Sequence, residues 1–120
     1  MMNKRILISK ADIMNNKVRL QANEPIAGLT PAEQILVDSK QFSFVYLMEN
    51  QEGYTYIDIP EPIWPLLKET LTKHIPVWIH FDEEELELTN FNEEFVELIN
   101  NIRGNSNYGE EMVTKVEGIF

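Results

Sequence analysis

The sequence predicts an α+β fold: a largely antiparallel, twisted sheet of five or six strands with about three helices packed mainly on one face. Three observations carry this. Runs rich in β-branched and aromatic residues that alternate with period two dominate the first sixty positions and return at 75–81. Apolar residues at helical spacing occupy 63–71, 95–102 and 112–120. Between them stand short segments rich in Asn, Gly and Pro that break either pattern.

Taken in order, Ile6 and Ile8 alternate with Arg5 and Leu7, while Val18, Leu20 and Ala22 alternate with Lys17, Arg19 and Gln21. With Met14-Asn15-Asn16-Lys17 as a turn between them, the two runs read as a hairpin that puts Lys17 and Arg19 on a solvated face. Glu24 to Pro31 reads as a connector, in which Thr30 caps a single helical turn starting at Pro31 with Glu33 in its third position. Ile35-Leu36-Val37, Phe42 to Met48 and Tyr54 to Ile59 form the centre of the sheet, the last two pairing antiparallel across Glu49 to Gly53. Pro60 to Pro65 opens a helix running to about Lys73, because proline is tolerated in a first turn and Leu67 and Leu71 continue the stripe of Ile63 or Trp64. Ile75 to Phe81 is a further strand, with Pro76 at its start or on a sheet edge. Asn90 or Asn92 caps a helix carrying Phe95, Leu98, Ile99 and Ile102, with Glu93 and Glu94 in its first turn and Gly104 at its end. Ser106 or Asn107 begins a last helix buried through Met112, Val113, Val116 and Phe120. Trp64 and Trp78, each among apolar neighbours, are expected in the core.

The 120 residues suit one domain over residues 1–120. The absence of cysteine excludes disulfides, thiolate zinc sites and thiol nucleophiles. The opening Met1 to Lys10 is too polar for a signal peptide or membrane span, so a soluble cytoplasmic protein is expected. Charge is unevenly spread: residues 1–60 hold six Lys/Arg against seven Asp/Glu, residues 61–120 four against thirteen, within a formal net charge of -10. Such a surface repels phosphate backbones and anionic headgroups, so neither nucleic acid nor membrane is an expected partner, and a basic protein is.

Asp82, Glu83, Glu84, Glu85 and Glu87 are the densest point and the expected binding surface. If the strand continued through this stretch, His80, Asp82 and Glu84 would share one face, and with His74 they would offer nitrogen and carboxylate ligands to a metal. Adjacent carboxylates at a strand end more often form a solvated loop, and the stretch lacks the spacing of a calcium loop. Gly104 to Gly109 lacks the Lys and Ser/Thr of a phosphate-binding loop and is followed by Glu110 and Glu111, which supply the anion at that helix start themselves. No serine sits in a nucleophile-elbow motif. No cofactor and no catalytic residue are expected.

Gly28-Leu29-Thr30-Pro31-Ala32-Glu33-Gln34, Phe42-Ser43-Phe44-Val45-Tyr46, Trp64-Pro65 and Asn107 to Val113 resemble a short, uncharacterised family of Bacillus-type bacteria over most of the chain. The resemblance implies a cytoplasmic bacterial protein and brings no functional residue with it. The reading that follows is a non-enzymatic binding or regulatory domain whose acidic surface meets a cationic protein. The alternatives are a small metal-dependent hydrolase centred on His74, His80, Asp82 and Glu84, and a mimic of nucleic-acid charge that blocks a nucleic-acid-binding protein.

Overall fold

Two sheets, not one, organise the chain in the computed structural model, which describes residues 4–120. Strands β1 (Lys4–Leu7), β4 (Thr30–Asp38), β5 (Ser43–Asn50) and β6 (Gly53–Pro60) form sheet A in the order β1-β6-β5-β4. Strands β2 (Lys10–Met14), β3 (Lys17–Gln21), β7 (Val77–Phe81) and β8 (Glu84–Glu87) form sheet B in the order β2-β3-β7-β8. Both are mixed: β1 runs parallel to β6 and β3 parallel to β7, while the other neighbours are antiparallel. The α+β class stands, and the single sheet of five or six strands is corrected to two of four.

The division begins at Ile8-Ser9. The turn at Asn15-Asn16 is where the sequence puts it, both residues having positive φ as a two-residue hairpin turn requires, which Asn tolerates. Its first arm, however, is β2, with Lys10 opposite Gln21 and Met14 opposite Lys17. The Ile6 run is a separate strand in the other sheet, Ile6 opposite Ile57. Ile8 N–H still donates to Asp58 O at 3.0 Å, after which the chain crosses to sheet B. The helical turn expected at Pro31 is also replaced. Residues 30–38 are one long edge strand whose register slips between Pro31 and Ile35, with Glu33 at φ 59°.

The hairpin β5–β6 pairs as expected, from Ser43 opposite Pro60 to Asn50 opposite Gly53. A 3-10 turn at Glu61–Ile63 leads into α1 (Trp64–Lys73), with α2 (Phe91–Ile102) and α3 (Glu110–Ile119) following. The last helix starts later than Ser106, because Ser106–Tyr108 is a 3-10 turn closed by Asn105, whose side chain accepts from Asn107 N–H. Asn90 does stand before α2, but in the left-handed conformation and without a side-chain cap bond. Gly104, at φ 68°, lets the chain turn out of α2, and its N–H donates to Glu117 Oε2 at 2.9 Å, tying that turn to α3.

One apolar cluster fills the interior. Ile6, Tyr46 and Ile57 of sheet A, Val18, Leu20 and Ile79 of sheet B, and Trp64, Phe95 and Val116 of the three helices all belong to it. Phe44 lies 4.6 Å from Trp64 and 5.0 Å from Phe95 between ring centroids, the latter edge to face, and Phe120 closes over all three. Trp64 is fully buried and its Nε1–H donates to Ile59 O at 3.2 Å. Trp78 is not a core residue. Val77 and Ile79 point inward, so Trp78 stands on the outer face of sheet B, half-buried beneath Lys17 Nζ at 4.3 Å from its ring centroid.

Candidate functional site

Three of the seven non-glycine residues with positive φ among the described residues line one cleft: Glu33, His74 and Asn90. That conformation is disfavoured for a side chain bearing Cβ, so three separate segments are each held in an uncommon geometry around the same space. Helix α1 ends because His74 takes up the left-handed conformation, its N–H donating to Thr70 O at 3.0 Å, and Pro76 then holds Ile75 away from helical dihedrals. Across the cleft, Leu88 N–H donates to Val77 O at 2.9 Å, extending the β7–β8 ladder, before Thr89 and Asn90 swing the chain into α2. The irregular part of β4 brings in Glu33 from sheet A.

Tyr46 ties these pieces from below. Fully buried, it donates its hydroxyl to Thr89 O at 2.6 Å. Burial pushes its phenol up to about 12, opposed by the bond to Thr89 and reinforced by the negative charge of Glu33.

The cleft encloses about 310 Å³ and is lined by Glu33, Glu87 and Glu93 together with His74, Asn90 and Asn92. No Lys or Arg lines it, and none of the three carboxylates takes part in an ion pair among the described residues. Asn92 donates its Nδ2–H to Ile75 O at 3.0 Å, while its Oδ1 is buried with no donor among the described residues. The arrangement offers negative charge and amide oxygens to a hydrogen-bond-donating cation.

The residues singled out from the sequence are divided by the fold. His74 and Glu87 come together in the cleft. His80, Asp82 and Glu84 do not share a face: Asp82, at φ 52°, turns the chain back, so that His80 stands opposite Glu85, and Glu84 stands opposite Phe81 on the other side of the sheet. Among the described residues no group of three His, Asp or Glu is placed to hold a metal ion, and the metal-dependent hydrolase is not supported. Of the acidic stretch, Asp82 and Glu83 form the turn and Glu84–Glu87 is edge strand β8, in which Glu85 pairs with Lys17 at 3.4 Å and Arg19 at 3.6 Å from the outer face of β3. Glu33 and Glu93 went unnoticed as a pair because sixty residues separate them and only the slipped register of β4 brings the first to the second.

Residues 6–120 match the model of a family described as a family of unknown function, UPF0738. The chain belongs to that family. It is 41% identical over 120 residues to the UPF0738 protein of Bacillus licheniformis, an alignment covering 99% of each chain. To the UPF0738 protein YjbL of Bacillus subtilis it is 39% identical over 123 residues, again with 99% of each covered. The UPF0738 protein GK0828 of Geobacillus kaustophilus is 37% identical over 122 residues, covering 99% of this chain and 98% of that one. No solved structure matches the chain. No helix among the described residues is long and apolar enough to cross a membrane.

Proposed function

We propose that this family member is a non-catalytic binding or regulatory domain of the bacterial cytoplasm, and that the acidic cleft with neighbouring β8 receives basic side chains of a protein partner. The observation that carries the reading is the set Glu33, Glu87 and Glu93, three uncompensated carboxylates around one cleft in a chain of net charge -10. A lysine or arginine placed there gains several charge-assisted hydrogen bonds at once. Glu87 is the point where β8 joins the cleft, and it is exposed.

The test is titration calorimetry with a lysine- and arginine-rich peptide against the parent chain and a Glu33→Gln/Glu87→Gln/Glu93→Gln variant. Glu110→Gln/Glu111→Gln, at the distant start of α3, serves as a control for general charge. Binding should weaken by about tenfold or more in the cleft variant and much less in the control. It should also fade toward 1 M salt, where the Debye length is about 3 Å. Equal losses in both variants, or an affinity indifferent to salt, would count against a specific basic-residue site.

A further inference from the structure

Sheet A is covered by helices on one face only. Trp64 of α1 and Phe95 of α2 lie on Phe44 of β5, on the side of the apolar cluster. The other face is built by the alternate residues: Leu36 of β4, Val45 and Leu47 of β5, Tyr54 and Tyr56 of β6, and Leu7 of β1. A solvated sheet face ordinarily carries polar residues, and a strand that is apolar on both sides belongs to a sheet covered on both. Strand β5 is of the second kind. Val45 and Leu47 are 4% and 6% exposed, while Leu7, Leu36 and Tyr54 around them are 48%, 41% and 46% exposed.

The charges of this face are arranged as in an interface, with an apolar centre and a polar rim. Asp38 and Lys40 stand at one end and Glu49 at the other. Between them Arg5 Nη1 donates to Asp58 Oδ2 at 2.8 Å, and the guanidinium lies over the ring of Tyr56. The middle therefore keeps no uncompensated carboxylate to attract a basic partner. Leu36, Val45, Asp58 and Leu7 form one row across the four strands, which sets the two exposed leucines at opposite edges and at the same height. Beside Leu36 opens a hollow of about 410 Å³, whose wall includes Val45 and Tyr56.

We propose that this face is covered by the same face of a second copy of the chain, about a two-fold axis parallel to the strands and passing between β5 and β6. That rotation keeps every row at its height and exchanges the edges, so that Leu7 of each copy meets Leu36 of the other and enters the hollow beside it. The shapes match under the same operation. A twisted sheet is a saddle, and half a turn about the strand direction carries a saddle onto itself, as in sheets that stack with their strands aligned to within about 30°. One diagonal of the saddle is short enough for Arg5 Nη1 on β1 to lie 3.4 Å from Asp38 Oδ2 on β4. Strands β4, β5 and β6 have nine, eight and eight residues, so at about 3.3 Å per residue and 4.8 Å per strand the face projects on the order of 500 Å². Two copies then bury about 1,000 Å² or more, the lower bound of a specific interface. Two chains of net charge -10 repel through most of their surface, and this face lets them meet with its central charges already paired.

Sedimentation equilibrium of the full chain tests the proposal, with a mass rising from 14.0 kDa toward twice that value and a dimer Kd of about 100 μM or below. Leu36→Lys and Leu7→Lys should each raise that Kd at least tenfold, whereas Val96→Lys, an equal change of charge at an exposed position on α2, should not. Far-ultraviolet circular dichroism verifies that the variants fold. Association should tighten toward 1 M salt, where the Debye length is about 3 Å and repulsion between the acidic surfaces is screened. The arrangement itself is read by cross-linking, which the absence of native cysteine makes clean. A short bis-maleimide should join Leu36→Cys to Leu7→Cys in a mixture of the two variants far more than either variant to itself, since the stacked pair stands about 10 Å apart and the like pairs are offset by a further three strand spacings. A mass of 14.0 kDa at every concentration would overturn the proposal. So would a dimer indifferent to both lysines or weakened by salt, or cross-linking of each cysteine variant with itself as efficient as in the mixture.

Discussion

Tyr46 shows how one side chain can hold the acidic cleft in place and what that costs at high pH. Its hydroxyl anchors Thr89, immediately before the left-handed Asn90, and its ring lies 5.9 Å from that of Phe91 in a stacked arrangement. With the folded-state phenol raised to about 12 against 10 in the unfolded chain, the unfolded state loses this proton first. The contribution is therefore fully present below pH 10 and is lost as pH rises through 10 to 12, amounting to roughly 2–3 kcal/mol at the upper end. Denaturant melts between pH 9 and pH 12 should show the decline, and Tyr46→Phe should remove much of that slope. The two tryptophans give a second prediction at this scale. Trp64→Ala should cost about 3–5 kcal/mol, because it opens a void among Phe44, Phe95 and Phe120. Trp78→Ala should cost only about 1–2 kcal/mol, losing partial burial and the contact with Lys17. Thermal and urea unfolding of the two variants will show whether they differ in this way.

The elements were legible wherever period and punctuation agreed. Strands β5 and β6, the Asn15-Asn16 turn, and the apolar stripes of α1, α2 and α3 follow from local pattern, and the structure has them. What the pattern lacks is pairing. Alternation assigns Ile6 to a buried face but not to β6 rather than to β3, and both partners present apolar residues to it. A run of acids reads as solvated loop because charge masks the single apolar residue Leu86, yet an edge strand needs only that one anchor and turns Glu85 and Glu87 to the open side. The cleft was illegible for the same reason: His74 and Glu87 were visible individually, while their partner Glu33 depends on a register slip. Gly104 offers a test at this scale. Its added Cβ would meet nothing within 4 Å, so Gly104→Ala should destabilise through the positive φ alone, by about 1 kcal/mol, as read from a denaturation midpoint.

For the molecule as a whole, a single apolar cluster drawing on both sheets and all three helices implies that neither sheet keeps its buried face if the other opens. Urea unfolding followed by tryptophan fluorescence and by far-ultraviolet circular dichroism should therefore give coincident transitions. Separate midpoints would mean that the two sheets unfold as independent units. The crossing at Ile8-Ser9 bears on a different matter, the order in which a newly made chain can acquire its structure. It leaves β1 and the β2–β3 hairpin at the amino-terminal end of the sequence, yet β1 must lie beside β6, with Lys4 opposite Thr55, and β3 beside β7, with Val18 opposite Val77. Each partner lies roughly half the chain away, and such distant parallel pairings form slowly because loop closure must precede the contacts that reward it. Strands β1 and β3 are thus made well before the strands that shelter them. Strand β3, alternating Val18 and Leu20 with Lys17 and Arg19, spends that interval with its pairing edge open, its basic side chains serving as the charge that discourages wrong neighbours until β7 arrives.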